Sequence, residues 1–222
     1  YFSIDQLKEE LNESNIEFSP NTIKQYLYNL RSINEIFDAG TSWYSSLNDE
    51  FELDTKPVEE FASNFDDKYP DLVFSVWSTE QIAAFFHNLP TKFATFIYVD
   101  RDYHAPIFDY LRNEYDNHLV LKNPGKNQSA DRFFIDQNPM VLRHYISQSQ
   151  EDDHFASIEK LLVDLFMEEK KLGVVGESEY VEIFNNIVFE RRINVAKMLR
   201  YAGRRECKED ISDLLMSENN RI

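Results

Sequence analysis

The chain has 222 residues, 42% of them hydrophobic and 14% aromatic, and a formal net charge of -17 at pH 7. It is long and apolar enough to bury the core of one large domain or of two smaller ones. The charge excludes strong, sequence-independent binding of nucleic acid by the chain as a whole, because Lys and Arg contacts with phosphate supply most of that affinity.

Residues 1–54 predict a winged-helix domain. Ser3 and Gln6 have the spacing of a capping box at the start of a first helix, and Ser19 with Pro20 marks the start of a second. Two short apolar segments on either side of residues 38–40 then predict a hairpin. In a DNA-binding winged helix the hairpin would contact phosphate and the second helix would enter the groove. The side chains that we expect to face the groove are Asn21, Thr22, Lys24, Gln25 and Tyr28.

The charge of this first domain leaves its role open. Residues 1–54 contain three Lys and Arg against eleven Asp and Glu, a net charge of -8. The turn of the predicted hairpin carries Asp38 and no cation, which suits phosphate poorly. Two hypotheses therefore stand side by side: a module that contacts operator DNA, or a module for protein contact and dimerisation.

Residues 57–222 predict a mixed α/β domain with a helical C-terminal part, joined to the first domain by a polar linker near residues 54–57. Apolar strands alternate with helical patterns, which indicates a partly parallel sheet. A further hairpin is expected at the edge of the sheet, and residues 155–216 are expected to be helical. The predicted strands are 72–76, 93–99 and 119–121, the helices 79–87 and 107–115, and the edge hairpin 133–135 with 141–146.

A basic segment lies near the end of this acidic chain. Residues 191–208 hold seven Lys and Arg against Glu206 alone, a net charge of +6. Arg guanidinium groups four residues apart share a helix face and can bind carboxylate or phosphate. The candidate contacts with a partner are Lys160, Arg200, Arg204 and Arg205. The alternative is that they form internal ion pairs with Glu159 and Asp164 across two packed helices.

Four short motifs, in their order along the chain, resemble the AbiEi-type antitoxins of type IV toxin–antitoxin systems and their uncharacterised relatives. They are VWST at 76–79, FIYVD at 96–100, EKLLVD at 159–164 and LRYAGRR at 199–205. The resemblance covers most of the chain and rests on order and spacing. The sequence departs from the family pattern at the predicted wing, where many relatives place Arg or Lys.

The resemblance implies an antitoxin-like protein that neutralises a nucleotidyltransferase-type toxin and regulates transcription through its winged helix. An acidic protein suits such a partner, because proteins that handle nucleotides or tRNA expose basic clefts. The alternative is a winged-helix DNA-binding regulator whose α/β domain dimerises or senses a ligand. A third hypothesis is a metal-dependent nucleic-acid enzyme.

Motifs of catalysis are sparse, so we expect neither an enzyme nor a bound cofactor or metal. The five glycines form no phosphate-binding loop and no nucleophile elbow. The histidines are scattered singly, with His87 expected in the core or at a helix cap and His104 and His144 at the surface or at strand edges. A nuclease would use Asp100 at a strand end together with a later acid followed two residues on by Lys. The later matches, at 168–171, are more typical of a solvated helix end.

The sequence also predicts a cytoplasmic protein without a membrane partner. No apolar run approaches the ~20 residues that span a bilayer, and residues 1–6 lack the pattern of a signal peptide. A single cysteine, Cys207, excludes an internal disulfide and is typical of a reducing compartment. The start at Tyr1 predicts a fragment of a longer chain.

Overall fold

The computed structural model describes residues 1–126, 133–146, 151–152 and 154–217. The chain divides into two compact units. Unit 1 consists of Tyr1–Phe51 with Asn185–Ile222, and unit 2 is Glu52–Phe184. The mixed α/β class that the sequence predicts is confirmed, since helices are interspersed along the chain with strands that form two sheets.

The N-terminal part of unit 1 contains two helices and a small antiparallel sheet of order β1-β3-β2. Ser3 caps the first helix in a capping box with Gln6, and Ser19 caps the second, so both predicted helix starts are confirmed. Ile23, Leu27 and Ile36 form the buried core. The elements are β1 (Phe2–Ser3), α1 (Ile4–Glu13), α2 (Pro20–Ser32), β2 (Phe37–Asp38) and β3 (Trp43–Ser45).

The C-terminal part of the chain completes unit 1, which differs from the predicted boundary of a domain at 57–222. The Tyr1 hydroxyl donates a 2.9 Å hydrogen bond to the carbonyl of Arg191 and accepts one of 2.8 Å from the amide of Ile193. The amide of Arg192 donates to the carbonyl of Asp49 at 2.7 Å. A cut near residue 54 would therefore divide unit 1. Its C-terminal helices are α7 (Val195–Arg204) and α8 (Lys208–Ser217).

Unit 2 is built on a six-stranded sheet of order β6-β7-β5-β4-β9-β8. Strands β5, β7 and β6 are parallel, whereas β4 is antiparallel to β5. The strands are β4 (Phe74–Ser78), β5 (Thr95–Val99), β6 (Val120–Lys122), β7 (Met140–His144), β8 (Glu151–Asp152) and β9 (Phe155–Ala156). The helices are α3 (Lys56–Lys68), α4 (His104–Glu114), α5 (Ile158–Leu172) and α6 (Glu177–Glu190), the last of which crosses the division at residue 185.

The predicted hairpin at 133–135 with 141–146 is wrong. Residues 135–137 form a 3-10 turn, and β7 lies inside the sheet between β6 and β5. The reason is the continuous burial of Met140, Val141 and Leu142, since a strand covered on both faces is apolar throughout rather than alternating. None of the described helices has the length and apolar character needed to cross a membrane.

Candidate functional site

Helix α2 presents most of the predicted groove-facing residues to solvent. Burial of Ile23 and Leu27 fixes the orientation of the helix, and the opposite face is exposed. Thr22 is partly covered, because its hydroxyl lies 2.8 Å from that of the N-cap residue Ser19. The exposed members of the predicted set are Asn21, Lys24, Gln25 and Tyr28. The structure thus brings four of the five together on one open polar face.

This face carries little positive charge. Lys24 and Arg31 are the two basic residues in the sequence of α2, and Arg31 forms an ion pair with Asp38 of β2. Gln25 donates a 3.1 Å hydrogen bond to the side chain of Asn29, which orders the amides along the helix. The face offers hydrogen-bonding groups for recognition, whereas its electrostatic attraction for phosphate is weak.

The β2–β3 turn, which was expected to contact phosphate, packs instead against the C-terminal part of unit 1. Ala39 is 1% exposed, and its carbonyl accepts a hydrogen bond from the amide of Ala196. A Cβ atom on Gly40 would lie 2.2 Å from the Asn194 side-chain oxygen and 2.6 Å from the Ala196 Cβ, so only glycine fits there. The inner side of this turn is therefore unavailable to nucleic acid.

The three candidate arginines of the basic segment differ in exposure. Arg200 and Arg204 lie four residues apart on one face of α7, as their spacing predicted, and the structure shows that both are exposed. Arg205 is buried at the end of the helix, where its amide donates to the carbonyl of Tyr201. Its predicted role as a surface contact is wrong, because position 205 follows the buried Tyr201 by one helical turn.

Lys160 is also unsuited to contact a partner, because it is 0% exposed in unit 2. Its ammonium group lies 2.5 Å from a carboxylate oxygen of Asp164 and 3.8 Å from the ring centroid of Tyr98. Helix α5 places Lys160 and Asp164 one turn apart on the face that packs on the sheet. The burial of Lys160 contradicts the prediction that it contacts a partner. Its ion pair with Asp164 is internal, but it lies within one helix rather than across two packed helices.

A second buried ion pair lies beside the first and was missed by the sequence reasoning. Arg143 on β7 pairs with Glu168 of α5, its Nε lying 3.0 and 3.2 Å from the two carboxylate oxygens. Its Nη1 donates to the carbonyl of Pro124 at 2.7 Å. Two signals in the sequence could have indicated this pair. Arg143 lies inside an apolar strand, and Asp164 and Glu168 follow Lys160 at intervals of four residues, which places all three on one helix face.

We call these four side chains the buried ion-pair network, comprising Arg143, Lys160, Asp164 and Glu168. Two positive and two negative groups balance in charge inside the unit. Such a network has small net stability, but removing one member leaves a buried charge without its partner. Of its two ion pairs, Arg143–Glu168 joins β7 to α5, whereas Lys160–Asp164 lies within α5, with the Lys160 ammonium over the Tyr98 ring of β5.

Two imidazoles, tilted by 31° to each other, lie at the carboxyl edge of the parallel strands. The rings of His104 and His144 are 4.2 Å apart, and Nε2 of His104 donates to the carbonyl of Arg143 at 3.1 Å. Burial lowers the pKa of both imidazoles, and the nearby Arg101 guanidinium lowers both further. Of the two places expected for His104, the surface or a strand edge, the first is wrong, because His104 is buried. His87, expected in the core or at a helix cap, is exposed.

The described residues include no group of three or more His, Cys, Asp or Glu side chains arranged to hold a metal ion. Asp100, considered for catalysis, accepts a hydrogen bond from the amide of Asp102 and thereby caps a short 3-10 turn. Its carboxylate thus has a local structural role.

An open cleft of about 460 Å³ lies at the opposite edge of the sheet in unit 2, where β4 ends and β5 and β7 begin. Aromatic rings and two carboxylates contribute to its lining, and none of the described residues that line it is Lys or Arg. The rings belong to Phe61, Phe93, Tyr115 and His118, and the carboxylates to Glu60 and Glu80. We call it the acidic cleft.

Two observations describe the walls of the acidic cleft. The centroid of the Phe61 ring lies 5.4 Å from that of Phe65, a core residue, and 5.7 Å from that of Tyr115. The aromatic wall of the cleft therefore packs against the core. Burial raises the pKa of the Tyr115 hydroxyl, and the negative charges near it, including Glu60, raise it further. The cleft therefore combines flat apolar surfaces with negative potential, which favours a cation that also has apolar contact area.

Comparison with models of protein families finds a match over residues 22–221 to a family of unknown function, DUF6577. The matched range includes most of unit 1 and all of unit 2. Comparisons with curated proteins and with solved structures find no match to this chain.

Proposed function

We propose that this chain, which belongs to the DUF6577 family, is an antitoxin-like protein that captures a basic protein partner through unit 2. The observation that carries the proposal is the charge of that unit. Residues 52–184 contain 25 Asp and Glu against 12 Lys and Arg, a net charge of -13. Because the buried ion-pair network is itself neutral, the excess negative charge belongs to the rest of the unit.

An uncompensated negative surface has a physical use in capturing a partner. It accelerates association with a positive surface and disfavours partners of like charge. Proteins that act on nucleotides or RNA bind phosphate with basic clefts, and an acidic protein can occupy the same cleft. The partner that we propose is a nucleotidyltransferase-type toxin, in line with the resemblance to AbiEi-type antitoxins.

We propose a binding role rather than catalysis for this unit. The acidic and basic groups at its centre are engaged in ion pairs with one another, and Asp100 caps a turn. Groups held in this way are poorly placed to bind metal or to transfer protons. A purified protein without nucleotidyl transfer or nuclease activity in Mg²⁺ or Mn²⁺ is the corresponding expectation, and turnover abolished by Asp100→Ala would contradict it.

A second function, contact with nucleic acid through a winged helix in unit 1, is favoured by the topology. Strand β1, helices α1 and α2, and the β2–β3 hairpin follow one another, and the three strands form one small sheet of order β1-β3-β2, which supports a winged-helix interpretation. Helix α2 would then be the recognition helix, with Lys24 and Gln25 at its exposed face. The weak positive charge makes this binding subordinate to protein capture, as in an antitoxin that also regulates its operator.

The test is to co-express the full chain with the nucleotidyltransferase encoded beside its gene and to measure both the complex and cell growth. We expect a stable complex, restored growth, and an association rate that falls as salt rises from 50 to 300 mM, since screening weakens steering by charge. A neighbouring nucleotidyltransferase that neither binds the chain nor loses toxicity would overturn the proposal. Lys24→Ala serves as the matched variant, because it alters α2 alone and should leave the complex intact.

A further inference from the structure

We infer that the acidic cleft of unit 2 binds an arginine side chain presented by the partner. The inference rests on the proposed capture of a basic protein and names the group that this protein contributes. Arginine has a planar cation that stacks on aromatic rings and pairs with carboxylates through two hydrogen bonds. The cleft offers both kinds of surface, in Phe61 and Tyr115 on one hand and in Glu60 and Glu80 on the other.

The carboxylates of the cleft come from separate, well-anchored elements. Glu60 lies on α3, which Val58, Ala62 and Phe65 fix against the core. Glu80 lies in the 3-10 turn after β4, where its amide donates to the Ser78 hydroxyl at 3.2 Å. Anchoring on fixed elements reduces the conformational entropy lost on binding.

Size and charge favour arginine over other occupants. A volume of about 460 Å³ is at the lower end of the range of small-ligand sites and accommodates one long side chain with water. The carboxylate of Glu60 near the Tyr115 hydroxyl disfavours phosphate or carboxylate groups. Lysine can reach the same carboxylates, but its ammonium group cannot stack or pair bidentately as a guanidinium does.

The experiment uses the full chain with 13C-labelled methionine methyl groups, observed by NMR. Met140 lines the cleft, whereas Met167, Met198 and Met216 do not and serve as internal references. The probe is N-acetylarginine amide, and its neutral control is N-acetylcitrulline amide, which has nearly the same shape without the charge. We expect the arginine probe to shift the Met140 signal in a saturable manner and the citrulline probe to leave it unchanged. Equal shifts with both probes would overturn the inference.

Charge-matched variants separate the cleft from the general acidity of the surface. Glu60→Gln with Glu80→Gln removes two charges from the cleft, and Asp67→Asn with Asp109→Asn removes two from exposed sites on α3 and α4 outside it. We expect the first pair to weaken binding of the arginine probe about tenfold or more, and the second to change it less than about twofold. Equal weakening by both pairs would mean that the cation is held by overall charge and would overturn the site.

Variants of Tyr115 test the aromatic wall. Tyr115→Phe keeps the ring and should retain binding of the probe, whereas Tyr115→Leu should weaken it severalfold, with the folded state checked by circular dichroism. Equal binding by both variants would remove stacking from the proposal.

The site and the proposed function can fail independently. If the arginine probe binds at Met140 but the neighbouring nucleotidyltransferase does not bind the chain, the site stands and the antitoxin proposal falls. If the nucleotidyltransferase binds the chain with an affinity unchanged by Glu60→Gln with Glu80→Gln, capture stands and the acidic cleft is excluded as its anchor.

Discussion

Unit 2 contains two sets of charged side chains whose environments differ. The buried ion-pair network joins Lys160 to Asp164 and Arg143 to Glu168 with almost no exposure to solvent. In the acidic cleft, Glu60 and Glu80 lie beside aromatic rings and face solvent without Lys or Arg among the described lining residues. Compensated charge inside a unit adds little net stability, but each of its groups is needed by the other. Uncompensated charge beside an apolar surface is available to a partner.

The largest expected effect comes from breaking the buried network. Glu168→Leu leaves the Arg143 guanidinium buried without its carboxylate, and we expect it to lower the free energy of unfolding by about 3–5 kcal/mol, measured by urea denaturation. The double variant Arg143→Met with Glu168→Leu removes both charges and should regain roughly half of that loss. If the loss of unfolding free energy in the double variant equalled the sum of the losses in Arg143→Met and Glu168→Leu, the assignment of this pair would be contradicted.

The same contrast extends to the arginines of unit 1. Arg205 is buried and Arg200 is exposed, so reversing the charge at each position should have different effects. We expect Arg205→Glu to lower the free energy of unfolding by more than about 2 kcal/mol and Arg200→Glu to change it by less than about 0.5 kcal/mol. Thermal and urea unfolding of the two variants provide the measurement. Similar losses of unfolding free energy in the two variants would show that the difference in burial does not give the two arginines different roles.

A smaller effect concerns the imidazoles of His104 and His144, of which the first is buried and the second partly buried. Neither belongs to the buried ion-pair network. Burial lowers the folded-state pKa of His104 below its usual value of 6.5, so the unfolded chain takes up a proton more readily as the pH falls. Stability should be full above pH 6.5 and should decrease as the pH falls below it, by at most about 1.4 kcal/mol per pH unit for this imidazole. His104→Gln should flatten the dependence between pH 7.5 and 5.5.

The control for the pH measurement is His87→Gln, because His87 is exposed. Its dependence of stability on pH should match that of the unaltered chain. A His104→Gln variant with the full original slope would assign the proton uptake to another group.

The smallest expected effect on stability is at the cleft. Glu60→Gln with Glu80→Gln should leave the free energy of unfolding within about 0.5 kcal/mol of the original, since both side chains are exposed. The same variant should nevertheless slow association with the proposed nucleotidyltransferase, as measured by stopped-flow or surface-based kinetics at low salt. Loss of stability comparable to that of Glu168→Leu would show that the cleft acids belong to the architecture and would remove the contrast.

The sequence by itself determined the local features of this protein. The helix starts at Ser3 and Ser19 follow from interactions between residues at most three apart, and the apolar spacing of Ile23 and Leu27 indicates the buried face of α2. The charge of -17 likewise belongs to the sequence and disfavours long-range attraction to nucleic acid whichever fold the chain adopts.

Only the tertiary structure decided which distant residues meet. The place of β7 inside the sheet, the pairing of Arg143 with Glu168 and the addition of residues 185–217 to unit 1 depend on contacts across tens to hundreds of positions. It also buried Arg205 while leaving Arg200 exposed. The acidic cleft likewise exists only in the folded chain, because its lining comes from α3, the turn after β4 and the loop after α4. The periodicity of apolar residues specifies which face of a helix or strand is buried. Which other element packs on that face depends on long-range packing, which minimises exposed apolar area and uncompensated buried charge.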